Sequence, residues 1–296
     1  MKQKKLALIV ILTLIVSTLV SLQIVGFVNL AAQTDSAVTI RPDGSIEGTS
    51  QIQRQGDTYT LTSNLSCSIY VQRSGIVIDG AGYAINGRGE GVGIDLNNYH
   101  GIDSSRAQIT NVTVKNLKIV NFGYAVEFIP SVNNTFIGNY VIDCYSGFNI
   151  WYSSNHTLMH NTIENCVTAI SISFGGNGNL ITENNIINSS VFVMRQCPDN
   201  TVDRNYWSDY STRYPNAKEI GNTGIWDTPY EGHEAFTDNH PLVEEVTVET
   251  PIPPTNTGIQ PLESQPIAFL IIAVTVVSVL AAVLYFRRKS HKVVEP

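Results

Sequence analysis

The chain has 296 residues, a formal net charge of −7 and only 15% charged side chains. That length allows one large domain or two small ones, and an acidic balance without a basic stripe argues against a nucleic-acid partner. Asn, Ser, Thr and Tyr are abundant instead, which predicts a polar, uncharged outer surface.

Residues 1–32 begin with Lys2, Lys4 and Lys5 and continue as an apolar run from Leu6 to about Val20, weakening to Ala32. A positive start before an apolar segment reads as a secretory signal cleaved near 31–37 or, since the run is long, as an uncleaved anchor. Residues 38–66 carry short strand patterns with turns at Pro42-Asp43-Gly44 and Gly56-Asp57. They suit the atypical end unit that covers the first apolar layer of a stacked array. Residues 67–110 read as irregular coils, with a bend at Gly80 and Gly82 and a loop-rich part containing Gly89, Gly91 and Gly93. No strand-to-helix context surrounds those glycines, so a Gly-rich turn is preferred to a dinucleotide fingerprint.

From 111 to 204 the chain repeats itself. Val126 and Phe128, stepped by 22, give Phe148 and Ile150, Ile170 and Ile172, then Phe192 and Met194. Val114, Phe136, Leu158, Ile181 and Val202 form a second series, and Ile119, Val141, Ile163 and Ile186 a third. A polar series of Leu117, Asn139, Asn161, Asn184 and Asn205 runs beside them. A fixed period in this range signals a stacked array. Apolar residues alternate within each unit, as in Val126-Glu127-Phe128, and Asn, Ser and Gly pairs break the units. That is the pattern of short half-buried strands rather than helices. The predicted fold is all-β: a parallel β-helix solenoid with coils of about 22 residues, interior aliphatic columns, and an Asn column where the chain bends.

Residues 205–243 concentrate Trp207, Tyr210, Tyr214, Trp226, Tyr230 and Phe236 where the second open end needs a lid, and read as a C-terminal cap, so the solenoid domain spans 38–243. Residues 244–265, rich in Pro, Thr and Glu, read as an extended stalk. Residues 266–286 form an uncharged run long enough to span a bilayer as a C-terminal transmembrane helix. Arg287, Arg288, Lys289 and Lys292 in the 287–296 tail keep that end cytoplasmic, placing the solenoid outside the membrane.

The units Asn133-Asn134-Thr135-Phe136-Ile137-Gly138-Asn139 and Asn155-His156-Thr157-Leu158 resemble the repeat of right-handed parallel β-helix proteins. Asn205-Tyr206-Trp207-Ser208-Asp209-Tyr210, then 224–230 and His240-Pro241-Leu242, resemble the ending of the NosD-like family, which is labelled periplasmic copper-binding. Its anchored members, with an opening like 40–45, are similar to surface proteins common in archaea. The resemblance implies a right-handed, exported β-helix related to carbohydrate-binding and sugar-hydrolase repeats, and it supplies no catalytic residue.

Chemistry on such a solenoid would sit on the outer face of stacked strands. Beside Val126 and Phe128 that face reads Glu127 and Ile129, Asn149 and Trp151, Ser171 and Ser173, Val193 and Arg195. It offers one carboxylate, whereas a two-carboxylate glycosidase needs a pair roughly 5–10 Å apart. Asp79, Asp95 and Asp103 in the irregular coils are the alternative acids, though Asp beside Gly and Asn is commonly a turn former. Trp151 and Tyr152, flanked by Glu127, Asn149 and Ser173, join an aromatic plane to polar arms, as sugar sites do.

A copper site would draw on His156, Met159 and His160, with Cys166 as a further soft ligand. A loop-borne divalent-ion site would draw on His233 and His240 in the cap. Strand and turn geometry does not converge the His156 and His160 spacing as a helix would, so no metal or cofactor is expected. Cys144 and Cys166, 22 apart, suit an interior column with Phe122 rather than an essential disulfide. Asn64, Asn111, Asn133, Asn155 and Asn188 begin glycosylation sequons, three of them within the repeat itself.

The function expected is that of a membrane-anchored, extracytoplasmic, non-catalytic module whose partner is a polysaccharide or cell-surface glycan. The alternatives are a carbohydrate-active lyase or hydrolase on the same fold, and a copper-handling accessory protein.

Overall fold

In a computed structural model of the protein, the described residues are 37–97, 108–193, 196–197, 199–234 and 236–249. The expected signal segment, the 266–286 span and the 287–296 tail lie outside them, as do Asp103, Met194 and Arg195. Among the described residues, no helix is long and apolar enough to cross a membrane.

Each regular coil lays down three short strands. In one coil these are Thr113–Lys115, Lys118–Val120 and Tyr124–Phe128; in the next, Thr135–Ile137, Tyr140–Ile142 and Ser146–Trp151. Equivalent strands pair in parallel, and among the described residues they build main sheets of nine, eight and six strands. The chain is an all-β parallel solenoid. The expected columns are realised: Val114 registers with Phe136, Leu158, Ile181 and Val202, while Ile119 registers with Val141, Ile163 and Ile186. The latter column extends one rung further, to Trp207.

Among its regular coils, the nine-stranded sheet departs from the 22-residue step once. Its column runs Val126, Phe148, Ile170, but the next partner is Val191, not Phe192. The register slips by one residue between Thr168 and Ile170, so Phe192 pairs with outward-facing Ser171 and Val193 with interior Ile172. The reason lies in the alternation of a strand, since a one-residue slip exchanges its two faces.

Phe128, Phe136 and Phe148 fill the centre of the interior, with ring centroids 5.2 and 5.4 Å apart in edge-to-face contacts. All three are fully buried, each stabilising the fold by about 2–3 kcal/mol on transfer from water. Close coil stacking requires a missing side chain at Gly147, where a Cβ would lie 2.4 Å from the carbonyl oxygen of Ala169.

The corners are held by amides. Asn139 Oδ1 accepts the backbone N–H of Leu117, and Asn161, Asn184 and Asn205 repeat the contact one coil on, at 3.0–3.1 Å. Each Nδ2 donates inward, as Asn161 does to the Phe136 carbonyl at 2.9 Å. A second ladder runs Asn134, His156, Asn179 and Asn200, with His156 Nδ1 taking the acceptor role toward Asn134 N–H at 3.1 Å. Buried backbone donors at the bends are thereby satisfied without regular secondary structure. Cys144 and Cys166 form a third, sulfur-lined column, in which Cys144 Sγ accepts the Phe122 N–H and Cys166 N–H donates to Ser189. All four cysteines are free thiols.

At the first end, two antiparallel hairpins (Val38–Ile40 with Ile46–Glu47, and Ile52–Gln55 with Thr58–Leu61) lie over the first coil. At the other end the Asn ladder stops at Asp238, whose carboxylate accepts N–H from Arg204, Asn205 and His240 and from Trp207 Nε1 at 2.8–3.1 Å. Tyr230 stacks on Trp207 at 4.1 Å, and Phe236 lies beside it. Residues 244–249, the start of the expected stalk, run back along the six-stranded sheet. There the Asn185 side chain bonds both the N–H and the carbonyl of Val246.

Candidate glycan-binding face

The outer face of the nine-stranded sheet gathers the polar residues. Strand alternation turns Ile69, Ile94, Val126, Phe148 and Ile170 inward and their successors outward. Register then aligns Tyr70, Asp95, Glu127, Asn149 and Ser171 in one row, one residue per coil. The sequence pattern indicates a single carboxylate here; the structure places a second, Asp95, beside Glu127. The backbones of the two acids lie one strand spacing apart, about 4.8 Å.

Asn149 Nδ2 donates to Glu127 Oε1 at 3.4 Å, and Asp95 Oδ1 accepts the Asn97 N–H at 2.6 Å. Asp95 and Asn149 are buried although they face outward, at 1% and 3% exposure. Burial and the Asp95 carboxylate push the Tyr70 phenol up from its ordinary value, since both disfavour the phenolate.

The ends of two neighbouring strands of this sheet carry exposed apolar side chains. At one end are Tyr145 and Val167; at the other are Tyr152 and Phe174, beside half-buried Trp151. Tyr152 and Phe174, 22 residues apart, stack with centroids 5.4 Å apart and 21° between planes. Trp151 meets Phe174 at 5.5 Å and 75°. The expected group of Glu127, Asn149, Trp151, Tyr152 and Ser173 is thus assembled on one face, with Trp151 and Ser173 in register. Phe174, Tyr70 and Asp95 complete it. Phe174 was open to detection in the sequence as the 22-residue counterpart of Tyr152. Asp95 was hidden because its coil precedes Glu127 by 32 residues, the number separating positions 95 and 127.

The proposed soft-metal residues do not come together. His156 is fully buried in the amide ladder against Phe128, at 4.4 Å between rings. Burial lowers its pKa to about 4, and a ring nitrogen already accepting an N–H cannot bind copper as well. Met159 occupies an outward position between Ile137 and Thr182 on the eight-stranded sheet. His160 pairs with Glu183 at 2.7 Å, and His240 with Asp203 at 2.8 Å. The His233 side chain lies outside the described residues. No group of three or more His, Cys, Asp or Glu side chains able to hold a metal occurs among the described residues. Asp79 accepts Lys115 at 3.2 Å and the N–H of Ala81, a turn role that holds its carboxyl below its ordinary value despite burial.

Among the sequon residues, Asn111, Asn133 and Asn155 are exposed at left-handed corners with φ of 56°, 56° and 61°. Asn64 and Asn188 are exposed as well, but their side chains are engaged, Asn64 Oδ1 with the Ala84 N–H and Asn188 Nδ2 with Asn165.

Comparison with protein families matches residues 50–207 to the right handed beta helix region. The chain belongs to this family. The match covers the whole run of regular coils and the outer row described above. No curated protein and no solved structure matches the chain. Membership therefore supports the right-handed β-helix.

Proposed function

We propose that the protein is an extracytoplasmic, surface-anchored β-helix whose nine-stranded sheet binds glycan on its outer face. The carrying observation is an aromatic group, exposed Tyr152 and Phe174 with half-buried Trp151, standing beside a polar row of Glu127, Asn149 and Ser171. Sugars present apolar C–H faces and a rim of hydroxyls, and this surface offers both complements. The export signal, the apolar 266–286 run and the basic tail support placement at a membrane with the solenoid outside. The test is glycan-array binding by the purified protein, with Trp151→Ala and Glu127→Gln for comparison. Saturable binding weakened by both changes supports the reading, and binding indifferent to both removes it.

A second reading is favoured by the placement of Asp95 beside Glu127. Two carboxylates on adjacent strands can approach the separation of about 5–5.5 Å used by retaining glycosidases. On that reading, one carboxyl protonates the leaving oxygen and the other attacks the anomeric carbon. Release of reducing ends that disappears in both Asp95→Asn and Glu127→Gln supports hydrolysis; a wild-type protein that binds but never cleaves restricts the face to recognition.

A further inference from the structure

Tyr152 and Phe174 occupy backbone conformations unfavourable for their side chains. Their φ values are 49° and 52°, in the left-handed region where bulky residues are outliers. Most of the other non-glycine left-handed corners among the described residues carry Asn or Asp, as at Asn133 and Asn155, while Ala81, His160, Glu183 and Arg204 share the region. Both rings are also left in water, at 62% and 46% exposure. Burial of the rings therefore does not explain the strain. At the foot of the pair, Trp151 Nε1 and Ser173 Oγ are buried with no hydrogen-bond partner among the described residues, and Ser173 is only 3% exposed. Native proteins rarely leave such atoms unserved unless a water or ligand meets them.

From this geometry we infer a stacking corner for pyranose rings with equatorial substituents, the gluco- and xylo-configured class. Two near-parallel rings and a third at 75° present perpendicular apolar walls. A pyranose whose hydroxyls are all equatorial keeps both C–H faces bare, so one face can lie flat on a wall. An axial hydroxyl, as in manno- or galacto-configured sugars, puts a polar group on one of the two faces and leaves only the other free to stack. The inference rests on the glycan-binding reading and specifies the sugar and the corner it occupies.

The test uses the full-length protein with cello-, xylo-, chito- and mannohexaose and polygalacturonate as probes, followed by titration calorimetry and Trp fluorescence. The variants are Tyr152→Gly and Phe174→Gly, with Tyr152→Asn and Phe174→Asn as a second set, since both residue types accept the left-handed backbone. The expected result is binding of the equatorial hexaoses, weakened about tenfold by either single change and lost in the double variant. Thermal midpoints should be unchanged or raised, because the strain is relieved. Binding that persists in every variant, or a preference for mannohexaose or polygalacturonate, overturns the corner and leaves the glycan reading standing. A wild-type protein that binds none of the probes and no glycan on an array overturns both. Variants that bind poorly only because their midpoints collapse would show the rings to be structural, and would also overturn the inference.

Discussion

His156 is the one titratable rung in a ladder otherwise built of amides, which makes it a built-in acid sensitivity. Its Nδ1 must stay unprotonated to accept the Asn134 N–H, and burial disfavours the imidazolium, lowering its pKa from 6.5 to about 4. A folded-state pKa below the unfolded value gives stability that is complete above pH 6.5 and lost as pH falls toward 4. A shift of this size corresponds to about 3 kcal/mol lost across that window. Asn at position 156 would repeat the Asn134 and Asn179 rungs above and below. It cannot titrate, and it leaves a void beside Phe128 costing about 1 kcal/mol. Urea unfolding of wild type and His156→Asn at a series of pH values from 7 to 4 measures the difference. The variant should be slightly less stable at pH 7 and more stable than wild type near pH 4. Superimposable acid limbs would refute the assignment of His156 as a neutral ladder acceptor.

Asn184→Ala should be far more damaging than its size suggests. It deprives Asn161 N–H of its acceptor and leaves the Leu158 and Thr182 carbonyls without their amide donor. A loss of about 3–5 kcal/mol is expected in urea melts, against about 0.5 kcal/mol or less for Asn216→Ala on the surface. Gly147→Ala drives a methyl group into the Ala169 carbonyl and should cost about 1–3 kcal/mol; a neutral result by calorimetry would mean that the coils can separate locally.

What the sequence reveals depends on which contacts are periodic. Val114 to Val202, Ile119 to Ile186 and Asn139 to Asn205 are legible because each rung needs the same side-chain type at nearly the same step. The Asn column even states its own chemistry, since an amide accepts from the coil before and donates inward. The slip at Val191 was not legible, because Val191-Phe192-Val193 is apolar in either register. His156 was misleading for a related reason: imidazole suggests a ligand, yet the ladder uses it as an amide substitute. The acid row escaped because strand pairing is set by neighbouring coils rather than by chain distance, and the coil of Asp95 is longer than the rest.

The terminal carboxylate at Asp238 has a consequence for how many coils can associate. An Asn rung is both an acceptor and a donor, so a column of them has no intrinsic length and offers its last member to any further strand, including one from another molecule. Asp238 accepts five N–H groups, the Asn205 side-chain amide included, and has no N–H of its own side chain to pass on. It works as a chain terminator does in polymer growth: the relay of amides reaches it and has no successor. With Tyr230 and Phe236 over the Trp207 face, a fold that could in principle stack head to tail into a fibre is closed at this end by one oxygen-for-nitrogen exchange.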